Sequence, residues 1–450
     1  MGLGGRILMA TLDEAVAYLA GLINLEKSRD FRRARFSLEP IRSLLDRLGL
    51  RRAGLSALHI AGSKGKGSTA LLAEGLLRAH GLRVGTFTSP HLVSWTERFR
   101  VDGEEVAGEK LAEAVERLRP EVDALRDERP EDAPSFFDAT TAAALLLFAD
   151  AEVDHVVLEV GLGGRLDSTN IVTPAVACVT SIELEHTEKL GTSLAAIARE
   201  KAGIAKPGVP LVMGALPAEA AMVVEERAGR LGCALARFGH EFDAEILEED
   251  LDAQRVRFRE GALAFEARLA VAGAHQARNA ALALACVRRL DAIPDHALGA
   301  AALRAFATIS LPARIEFLSR RPWIVVDAAH TAASAAALAR TLARIPRRRA
   351  RLVLSVSAGK DLAAICRSLV PFADQLTITR AEPVRSLEPE EVTAAVRSVS
   401  SELTPRVVPD PQLAVRQARE GLGPEDLLCA AGSVYLAGIA RRVLLDDRRS

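Results

Sequence analysis

The chain has 450 residues, 49% of them hydrophobic and 26% charged, with a formal net charge of −1. That length exceeds what one ordinary core organises, so two or three domains are expected, and the composition is globular and not disordered. Balanced charge removes the argument for nucleic acid as the main partner, and no apolar run reaches membrane-spanning length.

The five cysteines, Cys178, Cys233, Cys286, Cys366 and Cys429, are widely spaced and form no CxxC pair. Most lie in apolar surroundings, which argues against a disulfide framework or a zinc site and fits a reducing cytosol. The amino terminus lacks a signal-peptide core, and Arg6 breaks the myristoylation pattern that Gly2 would begin. A soluble, cytoplasmic protein without a membrane partner is expected.

Residues 11–50 read as helical, with Leu12, Val16, Leu19 and Leu22, then Leu38, Ile41, Leu44, Leu45 and Leu48, at helical spacing. Between them the charged stretch Glu26–Arg35 is expected to be a mobile loop. The apolar run Leu58-His59-Ile60-Ala61 leads into Gly62-Ser63-Lys64-Gly65-Lys66-Gly67-Ser68-Thr69 and then an apolar helix ending at Gly81, which suits a helix C′ position. Strand, glycine loop and helix in that order describe an anion site, because glycines let several backbone N–H groups face one phosphate at a helix N-terminus. Lys66 supplies a point charge for β/γ-phosphates, and Ser68 or Thr69 a hydroxyl for Mg²⁺. The usual phosphate loop has its Lys directly before the Ser/Thr, whereas Gly67 intervenes here. The bland alternative is a flexible basic turn, which the flanking strand and helix make the poorer reading.

Strand 83–88 leaves through Ser89-Pro90-His91-Leu92. A helix spans 108–125, and Ser135-Phe136-Phe137-Asp138 leads into a helix over 139–149. Residues 153–160 are apolar enough for a strand buried on both faces, as in a parallel sheet. Strands 175–182 and 209–213 follow, with a helix between them through Lys201. A hairpin turns around Glu260-Gly261, and a helix spans 276–290. Thr308–Arg314, with Pro312, is the candidate hinge. Beyond it the alternation restarts with strands at 323–327, 351–356, 375–379 and 427–431, and helices from Ser334, Asp361, Pro389 and Val434. Such alternation points to parallel sheets with helices on their faces.

Polar residues cluster where strands end, the place where open α/β sheets bind ligands. Glu159 closes an apolar strand, where a carboxylate is costly unless paired or bound to metal. His186 follows strand 175–182, and Asp327 and His330 follow strand 323–327. Taken singly, Glu159 could reach solvent and His186 could be structural; four polar strand exits in one chain favour function. Gly161-Leu162-Gly163-Gly164 lacks the GxGxxG spacing of a dinucleotide site. No nucleophile elbow supports covalent hydrolysis. Lys201, read alone, is an exposed helix lysine.

Taken together the motifs resemble the folylpolyglutamate synthase/dihydrofolate synthase family, within the ATP-dependent Mur ligase superfamily. The matches are Gly62–Thr69, Thr88-Ser89-Pro90-His91-Leu92, Leu158–Asn170, Glu200-Lys201-Ala202-Gly203-Ile204, His275–Asn279, Leu311-Pro312-Ala313-Arg314 and Asp327-Ala328-Ala329-His330. They follow the family's order and span nearly the whole chain. The resemblance implies an α/β architecture: a P-loop-type ATPase domain with a parallel sheet over 1–309, and a smaller Rossmann-like α/β ligase domain over 310–450. It implies an enzyme that phosphorylates a substrate carboxylate with ATP and lets L-glutamate attack the acyl phosphate.

Carried over by motif, Gly65, Lys66, Gly67, Ser68 and Thr69 hold the ATP phosphates, and Asn279, Arg314 and Asp327 contact the nucleotide. Ser68, Ser89, Glu159 and His186 surround Mg²⁺. Lys66, Lys201, Asp327 and His330 are catalytic, Lys201 as a carbamylated, metal-binding lysine. Phe136, Phe137, Asp138, Leu166, Asp167 and Ser168 line the pterin site, so dihydropteroate or a reduced folate, L-glutamate and ATP are the expected partners of a monomer. The chain departs from the family at Lys64 (often Asn), Glu185 (usually Asp), Ala313 (in a Pro-Gly-Arg motif), Ala328-Ala329 and Thr331 (usually Asn). The alternatives are a Mur-type ligase for another acid and amine, and a nucleotide-binding regulatory protein without turnover.

Overall fold

The structure, a computed structural model, describes residues 11–23, 37–50, 56–290 and 292–446. Gly2, Arg6 and the expected loop at 26–35 lie outside the described residues. The chain forms two compact units, Met1–Glu245 with Arg257–Ala267 and Arg278–Ala307, and Ile246–Val256 with Arg268–Ala277 and Thr308–Ser450.

In the first unit, strands β1 (Ser56–Ala61), β2 (Val84–Phe87), β3 (Phe99–Val101), β4 (Glu104–Glu105), β5 (His155–Glu159), β6 (Val176–Val179), β7 (Leu211–Met213) and β8 (Leu235–Arg237) form one sheet. Its eight strands run in the order β4-β3-β2-β5-β1-β6-β7-β8. From β2 to β8 neighbours are parallel, and β3 and β4 make an antiparallel edge. Helices α1 (Leu12–Gly21), α2 (Glu39–Arg47), α3 (Lys66–Ala79), α4 (Gly108–Glu128), α5 (Phe136–Asp150), α6 (Thr187–Leu190), α7 (Leu194–Lys201) and α8 (Ala218–Leu231) accompany it. Leu19, Ile41, Leu44, Leu118 and Phe148 of α1, α2, α4 and α5 pack with Phe87, Phe99 and Leu158 of the sheet. Ile197 and Val224 of α7 and α8 pack with Val179, Leu211 and Met213 in a second cluster. Burying both faces in this way explains why β1, β5 and β6 carry almost unbroken apolar runs.

Strands β9 (Phe242–Glu249), β10 (Gln254–Glu260) and β11 (Leu263–Leu269) form a small sheet, with the expected turn at Gly261 in left-handed backbone. Helices α9 (Ala274–Arg289) and α10 (Asp295–Thr308) follow. In the second unit β12 (Glu316–Arg320), β13 (Trp323–Val326), β14 (Ala350–Leu354), β15 (Gln375–Ile378), β16 (Arg406–Val407) and β17 (Leu427–Ala431) build a sheet of order β12-β13-β17-β14-β15-β16. It is parallel except for the edge strand β12. α11 (Ala332–Arg344), α12 (Leu362–Leu369), α13 (Pro389–Val399), α14 (Pro411–Arg419) and α15 (Val434–Asp446) complete this unit. Leu338, Ile365 and Val392 of α11, α12 and α13 pack on Val325, Leu352, Leu376 and Leu427.

Several elements depart from the sequence expectation for identifiable reasons. Helix α5 starts at Phe136 and not Ala139, because Ser135 and Asp138 form a reciprocal capping box one turn earlier. The expected helix through Lys201 is two helices, broken at Gly191 (φ 101°) and restarted by the Ser193 cap. Helices α8, α10 and α14 are absent from the sequence reading, although Asp410-Pro411 at the start of α14 is an orthodox N-terminal signal. No helix among the described residues is long and apolar enough to cross a membrane.

Gly85 in β2 exists to seat Phe148: a Cβ there would lie 2.5 Å from two atoms of the buried ring. Phe148→Ala should cost about 3–5 kcal/mol as a cavity, and Gly85→Ala about 1–3 kcal/mol as overpacking. Denaturant midpoints of the two single variants and the double variant should be non-additive, Gly85→Ala costing less where the ring is already gone.

Candidate active site

The glycine loop leaves the carboxyl end of β1, the strand between β5 and β6. Parallel pairing therefore brings the exits of all three strands together: Gly62–Gly65 from β1, Glu159 from β5, and Thr180-Ser181 beyond β6. Backbone and side-chain bonds lace the first loop to the third. Ser63 N–H donates to the Ser181 carbonyl (2.8 Å), Lys64 N–H to Ser181 Oγ (2.8 Å), and Thr180 Oγ1 to the Lys64 carbonyl (2.6 Å). Gly65 caps α3 in left-handed backbone (φ 84°), and a Cβ on it would sit 2.5 Å from Asn279 Oδ1. Asn279 thus approaches the loop more closely than any residue but glycine permits at position 65.

Lys66 opens α3, its Nζ donating to the Gly62 carbonyl at 3.0 Å. Ser68 and Thr69 are buried in the first turn, and Thr69 Oγ1 has no hydrogen-bond partner among the described residues. Glu159 is 5% exposed, so the alternative of a glutamate reaching solvent fails. Its Oε2 accepts the Ser89 N–H at 3.0 Å and would lie 3.2 Å from a Cβ on Gly67. Ser89 and Glu159 thus meet beside Gly67, the residue before Ser68, while His186 opens α6 in left-handed backbone with a 43% exposed side chain, 3.9 Å from Glu188.

Lys201 corrects the sequence reading most sharply. It is 2% exposed and not a surface lysine, its Nζ donating to the Gly62 carbonyl (2.9 Å) and to Glu185 Oε1 (3.0 Å). Burial, then the charge of Lys66, brings Nζ down to about 8 from the ordinary 10.5, against the opposing pull of Glu185. Burial alone would raise Glu185, but Lys201, Lys66 and Lys64 overcome it and hold the carboxyl at about 2. Lys64 Nζ lies 3.5 Å from Glu185 Oε2, so the two family departures at 64 and 185 face one another.

Behind this cluster, Gly164 lets the loop after β5 lie on α7. A Cβ there would be 2.9 Å from the Glu200 carbonyl oxygen and 3.0 Å from that of Lys201. The paired glycines serve this close packing. Asp167 caps the turn at Ser168–Ile171 and accepts the N–H groups of Gly161 (3.1 Å) and Leu162 (3.0 Å), and the Thr169 hydroxyl bonds it too. Buried His59 in turn bonds Thr169 Oγ1 at 2.8 Å. Ser168 Oγ donates to Asp138 Oδ1 (2.7 Å), and Asp138 Oδ2 accepts from Ser135 N–H and Oγ. Burial raises the Asp138 carboxyl despite these donors. Phe136 packs edge-on against Trp95 (5.5 Å), with the Arg98 guanidinium over both rings. Phe137 lies on the Cα of Gly161, and Leu166 is half-buried. Trp95 and Arg98 escaped the sequence reading, as did Thr180 and Ser181; only the latter pair carried a signal, being polar residues directly after a strand.

In the second unit Asp327 directly follows β13, buried, accepting the Ile315 N–H (2.6 Å) and the Ala329 N–H (2.7 Å). Burial raises it to about 6 although both donors and Arg314 oppose this. His330 Nδ1–H donates to the Ala328 carbonyl at 2.8 Å. Thr331 caps α11, an ordinary structural use of the residue that replaces Asn. Arg314 is half-buried and donates to the Ala313 carbonyl.

Residues 60–287 match the Mur ligase middle domain and residues 313–434 the Mur ligase, glutamate ligase domain. A dihydrofolate synthase/folylpolyglutamate synthase from Bacillus subtilis is 32% identical over 428 residues, 92% of this chain and 96% of that one. The chain belongs to the folylpolyglutamate synthase/dihydrofolate synthase family. A probable bifunctional folylpolyglutamate synthase/dihydropteroate synthase from Halobacterium salinarum is 34% identical over 393 residues, 86% of this chain. The chain spans about half the length of that relative, 47%. The Escherichia coli FolC structure in complex with DHPP and ADP superposes with a TM-score of 0.83 at 30% identity, covering 98% of this chain and 99% of that one. The two-part α/β architecture expected of the family is the one observed.

Glu185→Gln leaves Lys201 buried beside Lys64 and Lys66, and breaking a buried pair costs about 3–5 kcal/mol. The folded pKa of Lys201, about 8, lies below the ordinary 10.5, so between them the folded chain binds fewer protons and its stability rises with pH. Without Glu185 the Lys201 ammonium is harder to keep, so the variant's Lys201 loses its proton at lower pH than the parent's; the Glu185→Gln deficit, read from denaturant midpoints, should therefore shrink as pH rises toward about 8 and stay level above it.

Proposed function

We propose that the protein is an ATP-dependent ligase that adds L-glutamate to dihydropteroate and to reduced folate through an acyl phosphate, acting as a cytoplasmic monomer. One observation carries the reading: three lysines, Lys64, Lys66 and Lys201, crowd the N-terminus of a helix, two of them against Glu185. Lysines gathered at a helix N-terminus, where the first-turn N–H groups have no partner within the helix, favour an anion. A nucleotide phosphate answers that need, and the ADP in the E. coli relative agrees with it.

On this reading residues 1–309 form the ATPase domain and 310–450 the ligase domain. Gly65, Lys66, Gly67, Ser68 and Thr69 hold phosphates, with Asn279, Arg314 and Asp327 on the nucleotide. The donor set Ser68, Ser89 and Glu159, to which the family's pattern adds His186, suits Mg²⁺, which takes one or two carboxylates and completes its shell with water and substrate phosphates. Among the described residues no three His, Cys, Asp or Glu side chains converge as a complete metal cage, so the ion would share its shell with ATP in this way. Bound there, Mg²⁺ would neutralise charge on the transferring phosphoryl group. Lys66 would screen the repulsion between the substrate carboxylate and the γ-phosphate. A carboxylate oxygen forms a bond to γ-phosphorus as the bond to ADP breaks; the glutamate amine then attacks the carbonyl carbon, releasing phosphate and a proton. Asp327 and His330 take part in the second unit. Phe136, Phe137, Asp138, Leu166, Asp167 and Ser168 position the pterin end.

Lys201 would act as a carbamate. Its lowered pKa supplies the neutral amine that CO₂ requires, and conversion would replace a buried cation by an anionic metal ligand. Lys201→Ala should lose activity and regain part of it with short carboxylic acids; activity retained without them would refute the assignment.

Incubation with ATP, Mg²⁺, glutamate and dihydropteroate should release ADP and form dihydrofolate, and tetrahydrofolate in a parallel reaction should be extended. Extension of tetrahydrofolate alone would remove the dihydrofolate synthase half of the proposal. Lys66→Ala should lower kcat/KM about 10²–10³-fold, the scale of losing one charged donor to a transition state.

A further inference from the structure

Arg314 is bracketed by two residues in left-handed backbone, Ala313 (φ 52°) and Ile315 (φ 50°). Neither is glycine, and a β-branched residue there is a rare outlier. Such backbone persists only where its surroundings over-determine it. Three bonds do so. Ala313 N–H donates to Glu316 Oε2 (2.8 Å), the Ala313 carbonyl accepts the Ala328 N–H (2.9 Å), and Ile315 N–H donates to Asp327 Oδ2 (2.6 Å). Both side chains are buried, so the two strained residues have little room to relax.

Glu316 is itself held from outside the loop. Arg441, two turns into α15, donates Nε to Glu316 Oε1 at 3.1 Å and to Oε2 at 3.0 Å. The pair is largely screened from solvent, with side-chain exposures of 28% and 15%. A charge-assisted bond of this kind fixes the carboxylate, and the carboxylate fixes the Ala313 N–H. Nothing assigned to the nucleotide or the substrate uses Arg441 or Glu316.

We propose that Arg441 is a positioning residue: its ion pair with Glu316 holds the left-handed loop that presents Arg314 to the nucleotide. The inference rests on Arg314 being a nucleotide contact. Without the brace, Ala313 returns to ordinary backbone, Arg314 swings from its site, and nucleotide affinity falls while the fold stays intact. Glycine at 313 carries no left-handed penalty, so it should restore the loop where the brace is missing.

Calorimetric titration of the full chain with ATP and Mg²⁺ tests this. Arg441→Met should raise Kd about tenfold at unchanged stoichiometry, Arg441→Lys should recover most of that loss, and Ala313→Gly added to Arg441→Met should bring Kd back to within about threefold of the parent. A purely structural role would instead lower the stoichiometry, through a misfolded fraction, and leave Kd alone. If Arg441→Met does not fold, Arg441→Gln carries the same measurements. Arg314→Ala without effect on Kd overturns the nucleotide reading of Arg314 and the proposal with it. Arg314→Ala weakening ATP while Arg441→Met leaves Kd unchanged, or an Arg441→Met loss that Ala313→Gly does not relieve, overturns the brace alone.

Discussion

The bond from buried Lys201 Nζ to the Gly62 carbonyl is the constraint on which the glycine loop depends. Gly62 is where β1 stops and the loop begins, and a Cβ there would collide with Thr180 Oγ1. The same carbonyl accepts from Lys66 Nζ, so one oxygen ties the loop's first residue to the start of α3 and to the end of α7. Two ammonium groups on one carbonyl are tolerable only because Glu185 stands beside them as a full anion. Remove the carboxylate and the loop is pulled together by groups that repel each other.

That arrangement also explains why the site is costly. A lysine at 2% exposure whose amine has fallen to about 8 is an unfavourable resident of a core. Asp327 in the second unit shows the opposite face of the same cost, a carboxylate raised to about 6 by burial in spite of two backbone donors. Groups perturbed in opposite directions at the carboxyl ends of parallel strands mark places where binding energy has been favoured over stability. Elsewhere a buried charge can be paired outright: Glu260 lies against Arg288 and Arg289.

The frame was largely legible because it rests on period and punctuation. Val156-Val157-Leu158 and Leu427–Ala431 are apolar runs of strand length, and they are strands. Gly81 ends α3 in left-handed backbone, as its position suggested. The glycine loop and Glu159 were legible because strand exits are where chemistry collects. Illegible were features set by tertiary closeness. Nothing in Glu200-Lys201-Ala202 says that the lysine is buried, since that follows from Gly164 letting a distant loop lie on α7. Nor does the local sequence reveal that Lys64 and Glu185 answer one another across more than a hundred residues. The start of α5 differs for another reason: the Ser135/Asp138 box is a local signal, but the resemblance places Asp138 with the substrate.

That last case shows how fold and site share residues. Asp138 closes the cap of α5 with one oxygen and takes the Ser168 hydroxyl with the other. Asp167, one position before Ser168, caps its own turn and gathers the N–H groups of Gly161 and Leu162. Behind it stands the Thr169 hydroxyl, backed in turn by His59 from the middle of β1. His59 is driven to about 3 by burial, then by Lys206, so it stays neutral and its bond to Thr169 does not switch with pH in the working range. The start of α5, the loop after β5 and the middle of β1 are therefore joined by one chain of bonds. On the proposed reading, a pterin arriving there would meet carboxylates already oriented and mostly satisfied, so its recognition would depend on shape more than on new charge pairs.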